Sequence, residues 1–84
     1  MVHTLKIEKS FADAILCGDK NFEIRRNDDR GFQKGDEVVF QTVEKGLSTG
    51  HPLNGAVYEI TYVMSGFGLQ PNWVVFGIRR KDGG

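Results

Sequence analysis

Lys20, Glu23 and Arg25 set an ammonium, a carboxylate and a guanidinium close together in the stretch Gly18-Asp19-Lys20-Asn21-Phe22-Glu23-Ile24-Arg25. A guanidinium grips phosphate or carbonyl oxygens through a two-toothed fork, and an ammonium does so as a point charge. A carboxylate beside them accepts from a base amino group, or serves as a general base or nucleophile. Phe22 and Ile24 alternate against Glu23 and Arg25, the pattern of a strand. At about 3.3 Å per residue the two charged side chains then stand roughly 7 Å apart on one face. Strict alternation puts Lys20 on the other face, unless it precedes the regular strand or a bulge at Asn21 turns it. The competing reading of Glu23 and Arg25 is a same-face salt bridge, worth under about 1 kcal/mol if exposed.

Other side chains are placed to join this trio. Arg26 and Arg30 follow closely and make a local cationic patch with Lys20 and Arg25. His3 shares parity with Leu5 and Ile7, so it is expected to face inward at the mouth of a barrel, or to be an end-of-strand histidine without a task. Lys6 lies on the opposite face of the same strand. Tyr62, Phe67 and Trp73 are candidates for stacking a base, against the simpler reading that most aromatics are core.

The elements that must position these groups follow from periodicity. His3 to Ile7 alternates as a first strand. Ser10-Phe11-Ala12-Asp13 opens a helix of about two turns, with Ser10 as N-cap and Phe11, Ile15 and Leu16 on the packed face. Gly18 suits the left-handed position after its last turn. Phe22 to Asn27 is the second strand, and Asn27-Asp28-Asp29-Arg30-Gly31 a turn without the spaced ligands of a calcium loop. Lys34-Gly35-Asp36 is a further turn, with Asp36 accepting from turn amides, and Glu37 to Val43 is a third strand buried locally on both faces. Glu44 to Gly55 is dense in turn formers and is expected to be a flexible connection, with His51 at the surface. Ala56 to Met64 is the longest strand, with Tyr58, Ile60, Tyr62 and Met64 on one face. The loop Ser65–Asn72 leads to a closing strand, Trp73 to Arg80, with Val74, Phe76 and Ile78 inward. Five strands with one early helix indicate a mainly β fold, a small and mostly antiparallel β-barrel, with one parallel pairing allowed by the helix. Residues 1–84 are expected to be one domain, with 1–2 and 81–84 frayed.

Composition narrows the function classes. The chain has 84 residues, 39% of them hydrophobic, with 11 basic and 11 acidic residues and a formal net charge of zero. The absence of a basic excess weighs against coating long duplex DNA. The single Cys17 excludes an intramolecular disulfide and, with two histidines, offers no zinc set. No metal and no cofactor is implied. No apolar run reaches the ~20 residues of a membrane span, and a cytoplasmic location is the simplest expectation.

Gly18-x-Lys20-x-x-Glu23-x-Arg25 resembles the G-x-K-x-x-E-x-R signature of the ASCH domain, a member of the PUA-like β-barrel superfold. The turn Lys34-Gly35-Asp36-Glu37-Val38 also resembles the glycine–aspartate turn of PUA-like chains. The opening His-x-Leu-Lys, with Ser-Gly-Phe-Gly-Leu before the last strand, is similar to a compact bacterial and phage branch of that family. The likeness runs from about Val2 to Arg80. It implies a pocket beside the helix, lined by the signature residues, that takes RNA or a nucleotide-like small molecule. One enzymatic branch of the family removes acyl groups from modified cytidine, a lysine activating a threonine nucleophile. Lys20 matches that lysine, but Glu23 stands where the threonine would be.

Three functions are therefore carried forward. The first is an RNA- or nucleotide-binding module using His3, Lys6, Lys20, Glu23, Arg25, Arg26, Tyr62 and Phe67. The second is a small hydrolase of acylated nucleosides with Lys20 and Glu23 as its working groups. The third is a protein-interaction module, which would show an exposed apolar patch instead of a charged cleft.

Overall fold

A computed structural model describes residues 1–28 and 30–81. Asp29, within the expected turn, and the expected fraying at 82–84 lie outside the described residues. The elements run β1 (Val2–Glu8), α1 (Lys9–Leu16), β2 (Phe22–Arg26), β3 (Glu37–Glu44), β4 (Leu47–Ser48), β5 (Val57–Met64) and β6 (Trp73–Arg80). The sheet has the order β1-β3-β5-β6-β2, with the short β4 paired to β3, and it curls into a half-barrel. β1 and β3 pair in parallel, and every other pairing is antiparallel. The parallel partner of β1 is thus β3 and not the strand after the helix, because α1, β2 and the turn beyond it together supply the long crossover that a parallel pair needs.

Strand alternation builds the core. Leu5 and Ile7 of β1, Val38 and Phe40 of β3, Tyr58 and Ile60 of β5, and Val74, Phe76 and Ile78 of β6 all turn inward and are buried. Leu53, Phe32 and, from α1, Ala12 and Ile15 complete it. The helix differs from expectation at its N-terminal end. It begins at Lys9 directly from β1, with Glu8 in extended backbone as N-cap and no side-chain cap. Because β1 feeds it without a loop, the packed face is Ala12 and Ile15, and Phe11 and Leu16 are left exposed. At the chain start, Met1 and Val2 are held: the Glu37 amide donates to the Met1 carbonyl at 2.9 Å. Lys81 is held likewise, its amide donating to the Val57 carbonyl at 2.8 Å.

The connection 44–55 is ordered by side chains. Lys45 (φ 52°) and Gly46 (φ 78°) turn β3 into β4 through the left-handed region, as a two-residue hairpin loop requires. Asn54 Oδ1 accepts from the Thr42 amide at 2.8 Å, and its Nδ2 donates to the Thr49 carbonyl at 2.9 Å. His51 is not a surface residue: Nδ1 accepts from the Leu53 amide at 3.0 Å and Nε2 lies 2.7 Å from Asp13 Oδ1 on α1. With Nδ1 accepting, Nε2 carries the proton and donates.

β5 departs from simple alternation. Ile60 pairs with Ile78, but Tyr62 pairs with Gly77, so Thr61 is an extra residue and the strand carries a bulge. Beyond it the faces exchange: Val63 packs against the core, and Tyr62 and Met64, which alternation puts on one face with Tyr58 and Ile60, point outward. A Cβ on Gly77 would lie 2.6 Å from Thr61 Oγ1. Gly77→Ala should therefore lower stability in urea by about 1–2 kcal/mol, against the usual benefit of replacing a strand glycine, and Gly77→Ala/Thr61→Ala should regain most of it.

Candidate functional site

Lys20 is positioned by the end of α1. Gly18 takes φ 89°, its amide donates to the Ile15 carbonyl, and the Lys20 amide folds back to the Ala14 carbonyl, both at 3.1 Å. Lys20 therefore precedes β2, and strand parity does not govern its direction. Its ammonium contacts Glu23 Oε2 and lies 5.1 Å from the Phe11 ring centre and 5.2 Å from that of Phe22. Both distances suit cation–π attraction, which gives the exposed Phe11 a partner.

β2 then presents its charged face inward. Glu23 is 4% exposed, whereas Phe22 and Ile24, the apolar pair of the strand, are 41% and 48% exposed, the reverse of the usual order. The register with β6 causes this inversion: Glu23 pairs with Phe76 and Arg25 with Val74, both of which face the core. Arg25 donates to Glu23 Oε1 through Nε at 2.9 Å and Nη2 at 2.8 Å. Nη2 also donates to the Lys6 carbonyl on β1 at 2.8 Å. Each oxygen of the buried carboxylate thus meets a cation. The same-face Glu23–Arg25 salt bridge, the competing reading of the sequence, is present, but it is desolvated and has a third member in Lys20.

These groups lie at the open side of the half-barrel, where the β2 and β1 edges face each other across a cleft of about 970 Å³. Leu5, Ile7 and Phe32 line its depth, and Phe11, Phe22 and Trp73 supply aromatic surface. Lys6, Lys20, Arg25, Arg26 and Arg30 are its cations, against Glu8, Asp19 and Glu23. Arg30 reaches across to the Thr4 carbonyl at 3.3 Å, and Arg26 pairs with Asp28 at 2.7 Å. The excess of cations over apolar walls suits an anionic ligand with a flat ring.

Of the residues singled out by sequence, Lys6, Lys20, Glu23, Arg25 and Arg26 share this cleft. His3, Tyr62 and Phe67 do not line it. His3 faces inward as expected, but its Nε2 lies 2.8 Å from Asp36 Oδ2 and its ring centre 4.6 Å from that of Phe32. Tyr62 is on the outer face beyond the bulge, and Phe67 stands in the 65–72 loop, 91% exposed. Helical spacing puts Phe11 on the packed face with Ile15, and the docking of α1 turns it to the cleft instead. The Lys6 and Thr4 carbonyls carry no side-chain signal at all. Among the described residues no group of three His, Cys, Asp or Glu converges to hold a metal ion.

Replacing Glu23 by Gln should lower the urea midpoint by the equivalent of about 2–4 kcal/mol, since a neutral amide of equal size leaves two cations without their counter-charge. A second expectation concerns Asp36. Its hydrogen bond with His3, then the Gln33 amide and the nearby N-terminal charge, hold its carboxyl below the ordinary value of 3.8. A depressed carboxyl contributes stability that is complete above the unfolded value and lost as pH falls through the folded one. Asp36→Asn should cost about 1–2 kcal/mol at pH 7, and thermal unfolding should show the gap to wild type closing below pH 3.8.

Comparison with known proteins places the chain in a family. It is 27% identical over 60 residues to the "Uncharacterized 12.9 kDa protein in GpA 3'region" of Escherichia phage P2, a match covering 71% of this chain and 54% of that protein. The chain therefore spans about half the length of this curated relative. The model of a domain of unknown function, DUF3850, matches residues 2–78, a span that holds β1, α1, β2 and every residue lining the cleft. The chain belongs to the DUF3850 family.

Proposed function

We propose that the cleft binds a nucleotide or a nucleotide-like unit of RNA. The observation that carries this reading is the convergence of Lys20 and Arg25 on the buried Glu23 at an open seam walled by aromatic rings. Arg25, with Lys6 and Arg30 at the rim, offers donors to a phosphate, and the guanidinium suits that group better than an ammonium alone. Phe22, Phe11 and Trp73 offer apolar surface to a base. The resemblance of Gly18–Arg25 to the ASCH signature, and hence to PUA-like barrels, supports the same ligand class.

The Lys20–Glu23 contact keeps one second reading, a hydrolase of acylated nucleosides. Both carboxylate oxygens of Glu23 are already engaged, Oε2 by Lys20 and Oε1 by Arg25, which counts against Glu23 as the proton acceptor. The ASCH scheme also lacks its threonine here. A nucleotide panel separates the readings. Nucleoside monophosphates and short RNAs should raise the melting temperature, and Lys20→Ala or Arg25→Ala should weaken binding at least about tenfold, as expected for losing a charge-assisted contact. An unmoved melting temperature across the panel would remove the binding proposal. Steady consumption of acylated nucleosides by wild type, lost in Lys20→Ala, would replace it with the hydrolase.

A further inference from the structure

β2 is an edge strand, and its ladder to β6 sorts its backbone groups. The Asn21 carbonyl accepts from the Ile78 amide at 2.9 Å, and the Asn27 amide donates to the Asn72 carbonyl at 2.7 Å. Both pairs continue the β2–β6 register, in which Phe22 faces Gly77 and Arg26 faces Trp73. In an antiparallel pair, directly bonded residues alternate with unbonded ones. Asn21, Glu23, Arg25 and Asn27 therefore bond to β6, and the amides and carbonyls of Phe22, Ile24 and Arg26 point to the free edge. The opposite edge is treated differently. On β1 the Thr4 and Lys6 carbonyls are taken by Arg30 and Arg25. On β2, among the described residues, no side chain takes the outward backbone groups of Phe22, Ile24 or Arg26. The strand has no proline and no bulge in its register, and Phe22 and Ile24 are exposed. An edge of that kind is a template for another strand.

Phe22-Glu23-Ile24-Arg25-Arg26 is complementary to itself when reversed. An antiparallel copy centred on Ile24 sets Ile24 against the partner's Ile24, Phe22 against the partner's Arg26, and Glu23 against the partner's Arg25. Opposite charges directly across two strands stabilise the pair, and like charges there destabilise it. Moving the centre to Phe22 sets Glu23 against Asn21, and moving it to Arg26 sets Arg25 against Asn27, so only Ile24 keeps the charge pairing. The same centre lets Phe22, Ile24 and Arg26 exchange backbone bonds with the residues they face. On the outward side two isoleucines meet, flanked by each Phe22 ring on the aliphatic stem of the partner's Arg26. Arg26 keeps its own Asp28, at 2.7 Å, at the rim. With a formal net charge of zero, two copies approach without mutual repulsion.

We infer that β2 is the pairing edge of a two-fold dimer, in which a second copy lays its own β2 antiparallel along it and the two sheets become one across Ile24. The inference goes beyond the nucleotide reading and does not rest on it. The cleft beside the edge, about 970 Å³, gives the incoming strand room, so a second copy and a nucleotide exclude one another there. An extended segment of a different protein would satisfy the same backbone groups. The self-matching order of charges favours a second copy, because a two-fold contact must be complementary to itself.

Sedimentation equilibrium without ligand is the first test. Pairing over five residues makes a small interface, so the mass should rise from 9.4 kDa toward twice that value between about 10 μM and about 1 mM. Ile24→Lys and Ile24→Glu should each hold the chain at the monomer mass by setting like charges across the axis. An equal mixture of the two should restore the dimer, which also shows both variants folded. Disulfide capture is the second test, in a Cys17→Ser background. Ile24→Cys should cross-link two copies under mild oxidation, since the Cα atoms of a bonded antiparallel pair stand about 5.5 Å apart. Tyr62→Cys, on the outer face of β5, should not. Wild type that stays at the monomer mass at about 1 mM overturns the dimer. So does a mixture of folded variants no heavier than its components, or a cross-link through Tyr62→Cys in place of Ile24→Cys. No nucleotide enters these measurements, so their failure is separate from failure of the cleft reading.

Discussion

A carboxylate inside the half-barrel is the feature around which the rest is arranged. Withdrawing one from water costs several kcal/mol unless charge and hydrogen bonds replace the lost solvation. Glu23 has both. Lys20 reaches it from the end of α1 and Arg25 from two residues along its own strand. Because these cations sit on different elements, neutralising the carboxylate also fixes how the helix end meets the sheet. The Gly18 turn and the return of the Lys20 amide to Ala14 are the local devices that bring the ammonium there.

The same charges govern the open side of the sheet. A half-barrel has two edges, each a row of backbone groups ready to pair with another chain. Here arginines act where a strand would. Arg25 satisfies the Lys6 carbonyl and Arg30 the Thr4 carbonyl, so part of the β1 edge is capped by side chains from the opposite side. The seam stays apart as a cleft and is not closed by main-chain pairing. Stability and any ligand would then draw on the same donors, since a phosphate bound by Arg25 competes with Lys6 for the guanidinium. This links the strength of the seam to the occupancy of the site.

Two histidine–aspartate contacts serve the frame and not the cleft. His3 joins β1 to Asp36 at the entry to β3, and His51 joins the 44–55 connection to Asp13 on α1. Both stand between segments far apart in sequence. Together with the bidentate Asn54 they convert polar loops into fixed parts of a small domain, where few apolar residues are available to do so.

The sequence alone determined the kinds of element and where they change. Period-two alternation marks the strands, Gly18 the helix end, and Asp36 the turn whose amide it accepts from. The charged trio was legible because its spacing needs only local geometry. Tertiary structure decided everything that depends on a partner. Alternation defines two faces of a strand but not which is inside, so the register of β2 on β6 placed Glu23 within and Phe22 and Ile24 without. One extra residue at Thr61 reversed β5 and put Tyr62 and Met64 in the open. The docking of α1 freed Phe11, and contacts across many residues drew His51 in. These outcomes are set by pairing over distance, and a side-chain pattern with a period of two gives the same local signal for either choice of face.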